Sequence, residues 1–399
     1  MMDQRDTATR AVGLADLGRE PFRIFFPAGI AAGLVGVALW PLHFGGWVET
    51  YPGQAHARLL AHGFLGGFIL GFLGTAGPRL LGAAPLGTRN VGILVLLHAI
   101  MTGCWAGNWL LAGDVLFLGL LLVFLGLLVR RVWRRQDLPP PGFLLAGLGL
   151  FSGVAGAVLA VWHQCQTEPD SAWVFLERLL SYQSFVLLPI LGVGPFLLPR
   201  FFGWPSRHDY PSMLHPNRPW RWQAMGAMAV GGAVLASFGI EAAGHYRLAH
   251  GLRFAVASAY PLAQQAGLHA PRAGGPFSFS VRLALTAVAA GYLAVTLFPP
   301  FRVALLHVTF MGGFALLTLV VATRVVFGHG GHAAAFQARN RWLYVTVGVL
   351  VLAMATRVSG DFWPAILISH YVYGALCWIA AVLFWGVRVL PKVLRTDPD

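Results

Sequence analysis

Three polar residues stand 17 positions before three arginines that close long apolar runs. The pairs are His62 with Arg79, Gln183 with Arg200, and His307 with Arg324. Imidazole nitrogen is a good ligand for haem iron, copper or zinc, and two facing imidazoles suit a haem b held by two histidines. The repeated spacing puts two of these side chains at the same membrane depth. It therefore predicts a haem b site with His62 and His307 as axial ligands.

The elements that would position these residues are membrane helices. The chain has 399 residues, of which 57% are hydrophobic and only 11% charged. Apolar runs of near-membrane length recur from Ile24 to Val389, which is typical of an all-α polytopic membrane protein with about 12 transmembrane helices. The predicted crossings lie near 24–42, 58–78, 90–111, 114–132, 143–163, 174–198, 222–241, 248–268, 280–298, 302–325, 342–359 and 363–388.

The spacing of the three arginines predicts an internal repeat. They are 121 and 124 residues apart, which is about the length of four crossings with their loops at roughly 20 residues per crossing. We therefore predict a single membrane domain over 1–399, built from three pseudo-repeats of four helices. The predicted repeats cover 22–135, 142–272 and 280–395.

The net charge of +13 is explained by membrane topology and not by nucleic acid. Lys and Arg gather in alternate loops, as they do on the cytoplasmic side of membrane proteins. With twelve crossings this predicts an inner-membrane protein of a bacterium with both termini in the cytoplasm. The opposite loops are expected to carry the acidic residues Glu49, Asp114, Glu168, Asp170, Glu241 and Asp361. Three widely separated cysteines support neither a disulfide framework nor a thiolate zinc site.

The remaining histidines suggest a second metal. His56 and His62 are six residues apart, so on a regular helix their side chains point about 120° from one another and would not share one metal ion. Outer-half histidines are therefore the candidate copper ligands. These are His43, His56, His98 and His370. His250 lies in a polar segment and is expected at the surface.

Two stretches resemble the NnrS family, polytopic proteins that contain haem and copper and are linked to the nitric oxide response. One runs from Leu306-His307 through Arg324 to Gly328-His329-Gly330-Gly331, and the other from His56 through Gly63-Phe64 and Gly71-Phe72 to Pro78. The opening Pro21-Phe22-Arg23 and the late Trp378 fit as well. In this resemblance His56 matches the family's first histidine, while Arg58 stands where the family has its second. The resemblance thus favours His56 as the ligand on the second crossing, and the repeat favours His62.

The arrangement also resembles the catalytic subunits of haem–copper oxidases and nitric oxide reductases. Those proteins have twelve helices in three arcs, with haem ligands on helices two and ten. Their copper needs histidines on helices six and seven, where this chain has Gln183 and Ser184 on the sixth crossing and no histidine on the seventh. The sequence therefore does not predict their binuclear centre and leaves open whether the protein is an enzyme.

The resemblance implies a haem b membrane protein that binds, senses or detoxifies nitric oxide or another diatomic gas. A quinol or another electron donor and the membrane lipid are the implied partners. Two alternatives remain from the residues alone: a small-solute transporter, or an assembly subunit without a prosthetic group. The threefold repeat and the small number of acidic residues within the crossings are not typical of a proton-coupled transporter.

Overall fold

The structure is a computed structural model that describes residues 10–264, 274–330 and 340–396, and these residues are mostly helical. Its thirteen helices within that range are α1 (Leu14–Arg19), α2 (Phe22–Phe44), α3 (Gly53–Leu80), α4 (Thr88–Ala106), α5 (Leu110–Trp133), α6 (Phe143–Gln164), α7 (Ser171–Phe202), α8 (Arg218–Ala242), α9 (Tyr246–Ala263), α10 (Pro276–Leu297), α11 (Pro299–His329), α12 (Trp342–Gly360) and α13 (Pro364–Val393). Two short strands, β1 (Arg10–Ala11) and β2 (Arg395–Thr396), pair antiparallel. The predicted all-α polytopic class is confirmed.

Eleven of the described helices are long and apolar enough to cross a membrane. They coincide with eleven of the twelve predicted crossings. The remaining one, the eighth, is the place of α9, which does not meet the same criterion. This 18-residue helix carries Arg247 and Arg253, which lower its hydropathy, yet it packs lengthwise against α8 and α10. The residues that would extend it, from 265 onward, lie outside the described range, as does the predicted junction near 272 between the second and third repeats.

Helices α3, α7 and α11 form the centre of the bundle. They bury 78%, 78% and 67% of their most apolar window, more than any other spanning helix in the described residues. They are the second, sixth and tenth predicted crossings, so each comes from a different predicted repeat. An apolar cavity lies between the C-terminal halves of these three helices. Its lining includes Phe68, Ile190 and Val321.

Each central helix contains a stretch of π-helix. The three stretches are Leu59–Leu65, Leu179–Ser184 and Val308–Ala315. A π-helical turn, called a wide turn below, holds more residues than an α-helical turn. Such turns are rare in proteins, and those that occur often lie at functional sites. His62 and Gln183 lie within their stretches, and His307 directly precedes the third. The same local geometry therefore recurs at the three positions singled out by the sequence spacing, while the repeat boundaries stay a prediction.

Glycines let the preceding helix approach each wide turn. A Cβ at Gly36 would lie 2.6 Å from Leu60 Cδ2 and 2.7 Å from Leu59 Cβ. Gly156 meets Ser181 in the same way, and Gly291 meets Thr309. These contacts leave no room for a methyl group, so glycine is required where the backbones come closest.

The first and last spanning helices are joined at one end of the bundle. Arg23 is buried and donates hydrogen bonds to the carbonyl oxygens of Val393 (2.7 Å) and Arg395 (2.7 Å), and to that of His329 (3.0 Å). Its guanidinium also pairs with Glu20 at 2.5 Å. The Pro-Phe-Arg opening of the chain thus supplies the residue that ties α2 to α11 and α13. Both described ends lie on the same side of the bundle; which side of a membrane that is stays a prediction.

Glu20 is contacted by two arginines and a histidine at this end. Arg79 pairs with one carboxylate oxygen, and His329 donates to the same oxygen from its Nδ1 atom at 2.6 Å. Burial would raise the pKa of Glu20, but the hydrogen bond from His329 and the charges of His329 and Arg23 outweigh it and lower the pKa to about 2. The glycine-rich stretch after His329 continues into residues 331–339, which lie outside the described range.

Candidate functional site

His56 and His307 each donate a hydrogen bond from Nδ1 to a backbone carbonyl. His56 Nδ1 lies 3.0 Å from the carbonyl oxygen of Gly36 on α2, and His307 Nδ1 lies 2.8 Å from that of Val303, one turn earlier on α11. A carbonyl oxygen only accepts, so both rings carry their proton on Nδ1 in the neutral form. This leaves the Nε2 lone pair of each ring free, the arrangement in which second-sphere bonds orient metal-ligating histidines.

These two imidazoles are neighbours in space. A proton added to His307 would be repelled by one on His56, and a proton on either ring would be repelled by Arg357 on α12. Both rings lie deep among the helices, yet each keeps part of its surface accessible. Two side chains with free lone pairs, one on α3 and one on α11, therefore lie near the same arginine.

Arg357 is held in place beside these rings. Its Nη1 atom lies 3.0 Å from Asp361 Oδ2, and its guanidinium carbon lies 3.8 Å from the centre of the Tyr371 ring. The Tyr371 hydroxyl donates to the other oxygen of Asp361 at 2.6 Å. The guanidinium is thus paired on one side, and its planar face is covered by an aromatic ring.

Trp40 on α2 packs against both His56 and Tyr371. Its ring centre lies 5.7 Å from that of His56 and 5.3 Å from that of Tyr371, both edge to face. We call the group of His56, His307, Trp40, Arg357 and Tyr371 the histidine cleft. It combines free imidazole nitrogens, a fixed cation and a flat aromatic surface.

His62 lies elsewhere in the bundle. It is 2% exposed, and its Nε2 atom lies 3.3 Å from the carbonyl oxygen of Ser181, to which it donates. Its ring stacks on Phe117 with centres 4.0 Å apart. The aromatic neighbours of His62 in the described structure belong to α4, α5 and α7, namely Trp105, Phe117, Tyr182 and Phe185. Its contacts therefore face away from α11, and its one free nitrogen is Nδ1, which is buried without a partner.

The other copper candidates are engaged separately. His43 Nδ1 lies 2.9 Å from the carbonyl oxygen of Val48, and His370 Nδ1 lies 3.1 Å from that of Ile366. His98 donates from Nε2 to the Gly63 carbonyl oxygen at 2.9 Å and is 1% exposed. Across the described ranges, no three His, Cys, Asp or Glu side chains come together as a metal-binding group. Copper at these residues stays a prediction without a gathered ligand set.

A buried ion pair escaped the sequence interpretation. Asp114 was expected in a loop, but it lies on α5, is 2% exposed and accepts three hydrogen bonds of 2.8–3.0 Å from Arg58. Trp105 and Gln164 donate to the same carboxylate. The expectation was wrong because a helix start and a loop look alike in sequence. Arg58 is therefore an ion-paired residue of the bundle interior.

A second buried cluster corrects two further expectations. Glu241 was expected in a loop and His250 at the surface; they are 1% and 0% exposed and lie 3.1 Å apart. Arg253 on α9 is 0% exposed and pairs with Glu241. The available signal was Arg253 itself, because an arginine within a crossing needs a partner in the bundle interior.

Comparison with known proteins agrees with the architecture. A model of the NnrS protein family matches residues 16–396, nearly the whole chain. A search of curated protein sequences found no match. The match spans both the helices of the histidine cleft and the buried Arg23 at the bundle end. The chain therefore belongs to the NnrS family, membrane proteins linked to the nitric oxide response.

Proposed function

We propose that the protein holds a haem b in the histidine cleft, with His56 and His307 as axial ligands, and uses it in the nitric oxide response. The observation that carries this proposal is the matched orientation of the two rings. Each is fixed through Nδ1, each has an unprotonated Nε2, and both lie within range of the charge of Arg357. His62, with Nε2 bound to Ser181 and its neighbours on other helices, is the weaker candidate.

The remaining residues of the cleft fit the other parts of a haem. Arg357 would pair with a propionate, since its charge already reaches both histidines and only one of its edges is taken by Asp361. Trp40 would cover an edge of the macrocycle. When bound, the haem would supply one-electron redox chemistry and an iron that binds nitric oxide.

The two histidines are anchored differently, which bears on gas binding. A haem with two imidazole ligands has no open position, so nitric oxide binding requires one imidazole to leave. His56 is tied to a different helix through Gly36, whereas His307 bonds only within α11 and adjoins a wide turn. His307 is therefore the ligand that we expect to move, and His56 the one that stays.

Optical spectra test the haem proposal. Wild-type protein purified with haem available should show a Soret band that shifts on reduction. His56→Ala and His307→Ala should each lose most of this band, and His62→Ala should keep it if the variant folds. His43→Ala, another histidine of the same half of the bundle, is the matched control and should keep it.

Two outcomes contradict the proposal. A colourless wild-type protein would favour a transporter or an assembly subunit. Loss of the band in His62→Ala together with its retention in His56→Ala would place the ligand of α3 one and a half turns further along that helix. Metal analysis of the same samples tests copper independently of the spectra.

A further inference from the structure

The cluster around Glu241 contains more positive than negative charge. Its carboxylate accepts from Arg302 Nε at 2.7 Å and from His250 Nε2 at 3.1 Å, and it pairs with Arg253 through its second oxygen. Even with His250 counted as neutral, two guanidinium groups face one carboxylate. The other hydrogen-bond partners of Arg253, the Gln183 side chain at 2.8 Å from Nη1 and the Ala249 carbonyl oxygen at 3.4 Å from Nε, are uncharged.

Other acidic side chains of the described structure do not supply the missing charge. Glu177 comes two residues after Phe175, on which Arg302 packs at 4.7 Å, yet Glu177 lies beside His163 at 3.7 Å. Asp114 pairs with Arg58 and Asp361 with Arg357. A surplus positive charge within a membrane bundle is costly unless something neutralises it.

Two buried groups at this place lack partners. The hydroxyl of Tyr292 and the Nδ1 atom of His250 are both buried without a hydrogen bond. The Tyr292 ring lies 6.0 Å from the His250 ring and 5.6 Å from the guanidinium carbon of Arg253. A phenol hydroxyl is a hydrogen-bond donor, and buried donors in native structures are nearly always satisfied.

Arg302 connects the cluster to the outside. Its side chain is 22% exposed, and Nε is its only nitrogen used in the hydrogen bonds described above, so its terminal nitrogens are available for another acceptor. The other members of the pair network, Glu241 and Arg253, are fully covered. An acceptor that reaches Arg302 from the bundle end would thus enter a region of net positive charge.

We propose that this cluster binds a small monovalent inorganic anion, of the class of chloride and nitrite, between α8, α9, α10 and α11. The anion neutralises one surplus guanidinium and accepts hydrogen bonds from Arg302 and Tyr292. It must be small because the surrounding side chains are covered, and monovalent because the surplus is one charge. This site is separate from the histidine cleft and does not depend on a haem being bound.

The test uses the purified full-length protein at constant ionic strength. Chloride and, separately, nitrite replace gluconate, a bulky anion, while the thermal midpoint and the intrinsic fluorescence are recorded. Chloride or nitrite should raise the midpoint along a saturable curve, and gluconate should not. Arg302→Gln should weaken the apparent affinity at least tenfold, and Tyr292→Phe several-fold.

Arg178 offers the matched control. It stands five residues before Gln183, as Arg302 stands five before His307, but it is exposed. Arg178→Gln removes the same charge and should leave the anion response unchanged. An unchanged thermal midpoint when chloride or nitrite replaces gluconate would overturn the proposal, because a specific site must distinguish a small anion from a bulky one. So would wild-type anion affinity in a folded Tyr292→Phe protein.

Discussion

The two sides of α11 carry polar side chains of opposite behaviour. On one side, His307 meets His56 and Arg357 in a cleft where imidazole nitrogens remain free and partly accessible. On the other side, Arg302 pairs with Glu241. Glu241 also pairs with Arg253, and the side chains of these last two residues have no accessible surface. In the first arrangement the imidazoles keep accessible surface, whereas in the second the side chains of Glu241 and Arg253 are fully covered. One helix thus carries a partly accessible histidine cluster and a covered ion-pair cluster only five residues apart.

The largest effect that would test this contrast is expected at Glu241. Glu241→Gln leaves two guanidinium groups without their carboxylate, and loss of one partner of a buried pair costs about 3–5 kcal/mol. The thermal midpoint in detergent should fall by many degrees, while the folded protein that remains keeps the Soret band that we propose for the wild type. Glu168→Gln, at an exposed loop residue, is the control. Equal stability of the two variants would show that the cluster is not an ion-paired interface.

The second effect concerns the contact that aims His56. In Gly36→Ala the new methyl would press on Leu59 and Leu60, at a cost of about 1–3 kcal/mol, and would displace the carbonyl that holds Nδ1. We expect lower haem occupancy together with a lower thermal midpoint. Gly119→Ala adds its methyl to open space and should affect neither. Normal occupancy in Gly36→Ala would mean that this carbonyl does not orient the ligand.

A smaller effect is expected at the end of the bundle that joins the termini. Because the pKa of Glu20 is about 2 in the folded protein and 4.5 in the reference state, its stabilisation is present above about pH 4.5 and lost as the pH falls toward 2. The loss should be on the order of 1–2 kcal/mol after solvent screening. Thermal midpoints recorded across this window should fall less in Glu20→Gln. If the thermal midpoint of Glu20→Gln falls with pH as steeply as that of the wild type, Glu20 is not the source of the pH dependence.

The smallest effect belongs to an exposed pair. Arg200 and Asp209 lie 2.5 Å apart, but their side chains are 35% and 45% exposed. Arg200→Gln should therefore change stability by less than about 1 kcal/mol, although Arg200 occupies the same repeat position as Arg79. A midpoint shift as large as that of Glu241→Gln would show that position in the repeat matters more than burial.

The helices were predictable because a transmembrane helix must be long and apolar, and such runs are visible directly in the sequence. The pairing of the histidines was harder to obtain. The spacing of residues in the sequence indicates how far along a helix each side chain lies, and by this measure His62 and His307 are equivalent. The neighbours of a side chain also depend on its direction around the helix axis. His56 contacts α2 and lies near His307 of α11, whereas His62 contacts α5 and α7. The family resemblance favoured His56 and the repeat favoured His62, and the choice between them as a ligand stays a prediction.

The sequence also did not reveal which charged residues near helix ends are buried. Asp114 and Glu241 stand close to the predicted loops, and only their partners on other helices show that they are inside. Arg58 and Arg253 were visible in sequence, but pairing each with its acid needs the three-dimensional arrangement of α3, α5, α8 and α9.

The wide turns of α3, α7 and α11 have a consequence for how this chain can be redesigned. A π-turn accommodates about one residue more than an α-turn, and one residue corresponds to roughly 100° around the axis. Side chains after Leu65, Ser184 or Ala315 consequently do not fall where a helical wheel drawn from the start of the helix would put them. Deleting a single residue from such a turn would let it close into a regular α-turn and leave the downstream side chains near their present directions. The same deletion elsewhere in the helix would rotate Arg79, Arg200 or Arg324 away from its present neighbours.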